Sequence, residues 1–144
     1  MCTAQYSTGL RWWELPVRRL RPRTVKRGAK PLQGIFFEAV PQGGDLYVLK
    51  FILVDWKDAE ALRILQNCRR AITPDGKLLV IEMTIPDTNE PSPGQLFDLN
   101  MLVMTGGQER TQSEYGALLA TAGFRLNRVV PTGSPFHVLE AIAV

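Results

Sequence analysis

The sequence predicts an α/β domain, the second half of a doubly wound sheet finished by an antiparallel hairpin, and three observations carry that prediction. A nearly unbroken apolar run, Leu46-Tyr47-Val48-Leu49, opens after a Gly-Gly-Asp turn signal, as a strand buried on both faces of a parallel sheet does. A helical pattern over residues 58–72 leads from it to a second run of the same kind, residues 77–84. Two closing strand patterns, residues 125–131 and 137–144, are joined by a Thr-Gly-Ser-Pro turn and are most economically antiparallel neighbours.

Residues 1–33 show neither helical nor strand periodicity. The net charge of +3 conceals an asymmetry, because residues 1–30 carry eight Lys/Arg against Glu14 alone, a balance of +7, which leaves −4 for residues 31–144. Clustered basic charge such as Arg18-Arg19-Leu20-Arg21 attracts phosphates. No aromatic interleaving beyond Trp12 and Trp13 supports nucleic-acid binding, so residues 1–32 are read as a basic, disordered arm.

From Pro31 the character changes. Residues 33–40, QGIFFEAV, read as a short strand running into a Pro-Gln-Gly-Gly turn. The central strand ends at Lys50, a charged residue placed where open α/β sheets collect ligands, though a snorkelling lysine at a strand end reads the same way. In the following helix Leu62, Leu65, Cys68 and Ile72 recur at three- and four-residue spacing, and Asp58 is the expected N-cap.

Thr73-Pro74-Asp75-Gly76 is a turn signal, and the apolar strand after it contains Glu82, a carboxylate costly to bury unless paired or used. Residues 85–94, with three prolines, form a loop, and residues 95–104 a short apolar helix carrying Asp98 and Met101. Thr111 and Glu114 then spell a capping box for the next helix, which Gly123 closes at C′. Asp98 is read as a helix-face residue in preference to an acceptor contact, His137, the single histidine, as structural, and Cys68 as core. The two cysteines, Cys2 and Cys68, make no disulfide framework, no apolar run spans a membrane, and no signal-peptide pattern opens the chain, which reads as cytosolic.

The segments LYVLKFILVDW, DAEALRILQNCRRAI, PDGKLLVIEMTIP, DLNMLVMTGGQERT, LLATAGF and VLEAIAV, in this order, resemble the carboxyl-terminal part of the S-adenosylmethionine-dependent small-molecule O-methyltransferases, the family of plant caffeic acid and bacterial hydroxyneurosporene and polyketide O-methyltransferases. The resemblance covers roughly residues 33–144. It implies a partial class I methyltransferase sheet, Rossmann-like and lacking the first strands, that moves a methyl group to a hydroxyl of an aromatic or polyketide-like small molecule. The cofactor it implies is S-adenosylmethionine, and it implies no metal.

Carried over residue by residue, the resemblance places Lys50 and Phe36 by the cofactor and Met101 in the acceptor pocket. Asp55, Glu82 and Glu109 match catalytic positions, the two glutamates flanking the place of the family's histidine base. That place holds Val54, which accepts no proton, so transfer to an unactivated phenol forgoes a contribution of about 10²–10⁴-fold unless a glutamate or a self-ionising acceptor replaces it.

The family's adenine-side aspartate corresponds to Ile35. Neither its Gly-rich loop nor its amino-terminal dimerisation domain has a counterpart in residues 1–33. Residues 1–32 are therefore expected to be non-homologous, from an out-of-frame or misassigned start, and the chain to be impaired in isolation. An upstream locus with no methyltransferase-like coding in another frame would overturn that origin. The missing strands predict an unpaired apolar edge at residues 46–49, inviting a homo-oligomer or pairing with another protein. The alternative function that follows is a non-catalytic remnant acting through protein pairing, with nucleic acid and membrane as unlikely partners.

Overall fold

The computed structural model describes residues 3–6, 11–14, 36–88 and 93–144. The basic run between Arg18 and Arg27, Gln33 to Ile35 of the expected first strand, and part of the proline loop lie outside the described residues. Among the described residues seven strands form one sheet: β1 (Thr3–Tyr6), β2 (Arg11–Glu14), β3 (Gly44–Lys50), β4 (Ile72–Ile85), β5 (Arg110–Thr111), β6 (Phe124–Pro131) and β7 (Phe136–Ala143). Their order is β2-β1-β3-β4-β7-β6, with β5 pairing β4. Among the described residues three α-helices accompany the sheet: α1 (Asp58–Ala71), α2 (Pro93–Met104) and α3 (Gln112–Thr121).

The parallel pair β3/β4 is the centre. Tyr47, Val48 and Leu49 are all buried, as the apolar run predicts, whereas β4 alternates, with Leu78, Val80 and Glu82 buried between half-buried Leu79 and Ile81. The parallel ladder runs from Leu46↔Lys77 to Lys50↔Ile81, and before it Gly44 pairs with Ile72. Asp45 alone on β3 thus stands against Thr73-Pro74-Asp75-Gly76 on β4. The predicted turn is present as a bulge within the longer strand, where a proline's missing N–H is tolerated.

α1 and α3 cover one face. Ile64, Leu65 and Cys68 of α1 and Leu119 of α3 are fully buried against Leu49, Leu78, Phe124 and Leu139. Burying each of these side chains contributes about 1.5–3 kcal/mol relative to exposure. The capping box of α3 forms as read: Thr111 Oγ1 accepts from the Glu114 N–H and Glu114 Oε2 from the Thr111 N–H. Gly123 follows the helix at φ +86°, a left-handed conformation that glycine adopts without the Cβ penalty. The closing hairpin β6/β7 is antiparallel, and β7 also pairs antiparallel with β4.

Four expectations are corrected. Phe36, Phe37 and Glu38 lie in a turn, not a strand. α1 is capped at Lys57 without a side-chain hydrogen bond, because the Asp58 carboxylate is taken by Arg110 and Gln108. Residues 3–6 and 11–14, inside the supposed disordered arm, are strands. The edge of β3 is consequently not open: β1 pairs with it antiparallel from Thr3↔Lys50 to Tyr6↔Tyr47, with β2 outside β1. Pairing with another chain through that edge loses its basis, since the N–H and C=O groups that invited it are engaged.

Candidate active site

Beyond Lys50 the chain leaves the ladder abruptly. Phe51 takes φ +53°, a left-handed conformation rare for a bulky side chain and costing on the order of 1–2 kcal/mol. The bend sends residues 52–55 into a 3-10 turn at Leu53–Asp55. It is held by the Phe51 N–H donating to Ile81 O at 3.1 Å and by the Phe51 ring meeting Phe136 edge to face at 4.7 Å. Its effect is to aim two backbone N–H groups, those of Ile52 and Leu53, at Glu82 Oε1, each at 2.9 Å. Glu82 stands one residue past the last β3/β4 pair, which places its carboxyl where β3 has turned aside.

Glu109 arrives from the other side, on the segment that leads into β5. Gly107 makes this approach possible: a Cβ there would lie 2.0 Å from Val54 O, and the Gln108 N–H donates to that same carbonyl at 3.0 Å. Asp98 Oδ1 accepts the Glu109 N–H at 2.7 Å, so the helix-face aspartate of α2 anchors the backbone of the second glutamate. Arg110, 1% exposed, secures the turn from beneath, donating to Leu53 O at 3.0 Å, Trp56 O at 2.8 Å and Asp58 Oδ1 at 2.8 Å.

These elements enclose a cavity of about 260 Å³ that brings Val54, Asp55, Glu82, Met101 and Glu109 together. Phe51, Met83, Phe97 and Phe136 complete its described wall. Phe97 and Met101 are four residues apart on α2 and therefore share a face.

The electrostatics follow from burial. Glu82 is pushed up to about 8, first by desolvation and then by the charge of Glu109, against the backbone N–H groups that favour its ionised form. Glu109 is raised to about 7, first by burial and then by Asp98, with Arg110 opposing. Burial likewise holds the Tyr115 hydroxyl well above its ordinary range. Glu82 Oε2, Glu109 Oε2 and Tyr115 Oη are buried without a hydrogen-bond partner among the described residues. A carboxyl with a pKa near the working pH, facing a mostly apolar cavity, is suited to take a proton from a bound hydroxyl.

The other candidates lie apart. Phe36 is packed in the core, and its carbonyl accepts from Asn67 of α1. Lys50 is exposed, its Nζ 5.1 Å from the Phe51 ring centroid. His137 Nδ1 meets Thr84 Oγ1 at 3.1 Å and is not among the described lining residues. Cys68 is buried and pushed up to about 12 by desolvation, a core thiol. Sequence reasoning missed Arg110, Phe51, Phe97 and Phe136. Only the position of Arg110, directly after Glu109, was a signal.

The O-methyltransferase domain family matches residues 18–125. The phenazine O-methyltransferase PhzM of Lysobacter antibioticus is 48% identical over 124 residues, 86% of this chain and 36% of its own length. The O-demethylpuromycin-O-methyltransferase of Streptomyces alboniger is 48% identical over 77% of this chain and 31% of its own. The crystal structure of CalO1, a methyltransferase of calicheamicin biosynthesis in its S-adenosylhomocysteine-bound form, superposes with a TM-score of 0.77 at 38% identity over 88% of this chain and 38% of that one. The chain thus spans about a third of the length of the relatives it matches.

Proposed function

The chain belongs to the O-methyltransferase domain family, and on that premise we propose that it is the acceptor-binding part of an S-adenosylmethionine-dependent enzyme that methylates a hydroxyl of an aromatic or polyketide-like small molecule. The observation that carries the reading is the cavity gathering Val54, Asp55, Glu82, Met101 and Glu109. Glu109 takes the acceptor proton: its Oε2 is unpartnered and its carboxyl is raised to about 7. Glu82, pinned at Oε1 by two backbone N–H groups, holds the Phe51–Asp55 bend in place. Asp55 and Met101 shape the wall, and positioning is the main catalytic contribution.

S-adenosylmethionine, when bound, supplies the sulfonium methyl group that the acceptor oxygen attacks in line. The chain spans about a third of the length of its relatives, and on its own it is expected to transfer weakly or not at all. A cytosolic setting accords with the free, buried Cys68. No helix among the described residues is long and apolar enough to cross a membrane.

Calorimetric titration of the chain with 1-naphthol and with S-adenosylhomocysteine tests the reading. Saturable naphthol binding with a silent cofactor product is expected. Micromolar binding of S-adenosylhomocysteine would overturn the division of labour, and absence of naphthol binding would overturn the acceptor assignment.

A second reading, a non-catalytic remnant that pairs with another protein, is favoured by α2, whose Leu96, Leu99, Leu102, Val103 and Met104 are all exposed.

A further inference from the structure

We propose that Asp98 is a positioning residue for Glu109: it fixes that carboxyl against the helix carrying Phe97 and Met101, and so couples acceptor contact to proton uptake. The inference rests on reading Glu109 as the group that takes the acceptor proton. From Gln95 to Met104, Asp98 and Met101 are half-buried and every other residue of α2 is exposed. Three residues apart, the two share the inward side of the helix. A short helix that buries so little is held to its neighbours by few contacts, which raises the weight of each.

A tight reversal after α2 brings Glu109 back to Asp98. The Thr105 and Gly106 N–H groups both donate to Met101 O, at 2.9 and 3.1 Å, and Thr105 Oγ1 accepts the Gly107 N–H at 3.1 Å. Gly106 takes φ +73° at the bend, a conformation glycine adopts without strain. The Glu109 N–H then meets Asp98 Oδ1 at 2.7 Å, short as hydrogen bonds to an ionised acceptor are. This bond joins the backbone of the base to the helix whose Phe97 and Met101 line the same cavity, so a shift of α2 against a bound acceptor moves Glu109 with it. The Asp98 carboxylate also acts on the charge of Glu109, favouring the protonated form after burial has done so first. The other charged or titratable groups around Glu109 are Glu82 of β4, Tyr115 of α3, Asp55 of the 3-10 turn, and Arg110, which opposes them while bound to Asp58. Among these neighbours Asp98 combines a like charge with a hydrogen bond to Glu109 itself.

The test separates the hydrogen bond from the charge. The full chain is titrated by calorimetry with 1-naphthol from about pH 5.5 to about pH 8.5, a range that spans the Glu109 value of about 7. In the parent, affinity is expected to rise through that value, because an ionised carboxyl accepts the naphthol O–H more strongly than a neutral one. Asp98→Ala, which loses both bond and charge, is expected to bind about fivefold or more weakly at the alkaline end. Asp98→Asn, whose amide oxygen still accepts the Glu109 N–H, is expected to recover most of that affinity while its midpoint falls by about half a unit or more. A merely structural aspartate would not give a lowered midpoint together with recovered affinity. If the two variants lose affinity alike, or if Asp98→Asn keeps the parent midpoint, the positioning role is overturned while the acceptor reading stands. If the parent itself binds no naphthol, the acceptor reading fails and the positioning role with it.

Discussion

Arg110 and Asp58 form an ion pair of unequal partners: the guanidinium is 1% exposed and the carboxylate 70%, with Nη2 and Nε donating to the same Oδ1 at 2.8 and 3.0 Å. The pair ties β5 to the first turn of α1 while the same guanidinium closes the 3-10 turn that carries Val54. Removing the cation takes a donor from the carbonyls of Trp56 and Leu53, the latter keeping only the Trp56 N–H, and leaves Asp58 without its ionic partner, so Arg110→Met is expected to cost about 2–4 kcal/mol. Asp58→Asn, which alters the exposed, water-screened member of the pair, is expected to cost about 1 kcal/mol. Urea denaturation of the two variants checks the order, and equal losses would deny the carbonyl contacts their role.

Gly107 offers a sharper geometric test. A Cβ would sit 2.0 Å from Val54 O and 2.7 Å from the Asp55 carbonyl carbon, both backbone atoms that no side-chain rotation relieves. Gly107→Ala is expected to lower stability by about 1–3 kcal/mol, several degrees in melting temperature, and to weaken naphthol binding by displacing Glu109. A variant that melts like the parent would mean the approach is looser than described.

The raised carboxyls fix a direction for stability against pH. An acid whose pKa is higher folded than unfolded binds more protons in the folded state, so stability falls as pH rises between the two values. For Glu82 that window runs from 4.5 to about 8, and for Glu109 from 4.5 to about 7, with no further loss from either above about 8. Glu82→Gln, which cannot ionise, is expected to flatten the decline. Thermal melts from acid to mildly alkaline pH would show it, and an unchanged slope would remove Glu82 as the cause.

The exposed side of α2 predicts association. Leu99 and Val103, four residues apart and 59% and 78% exposed, are expected to drive concentration-dependent self-association or partner binding. Replacing both with Glu is expected to abolish association with little change in melting temperature, because neither side chain is buried. Sedimentation velocity over a range of concentrations reads the outcome, and a parent chain that stays monomeric throughout would contradict it.

The sequence alone determined the central strands, α1, the capping box at Thr111 and Glu114, and the closing hairpin, because each is written in local periodicity and turn chemistry within a few residues. It also singled out Glu82, since a carboxylate inside an apolar strand is anomalous wherever the strand lies. Tertiary structure decided what those residues do together. The left-handed Phe51 aims backbone N–H groups at Glu82, Gly107 lets Glu109 approach Val54, and Arg110 claims the Asp58 that local chemistry would have made a cap. Only the fold covers the edge of β3 with residues 3–6, a segment lacking strand periodicity, since pairing there is set by the partner strand's unmet hydrogen bonds. Contacts between residues distant along the chain depend on register and close approach, and neither is encoded in any single stretch of it.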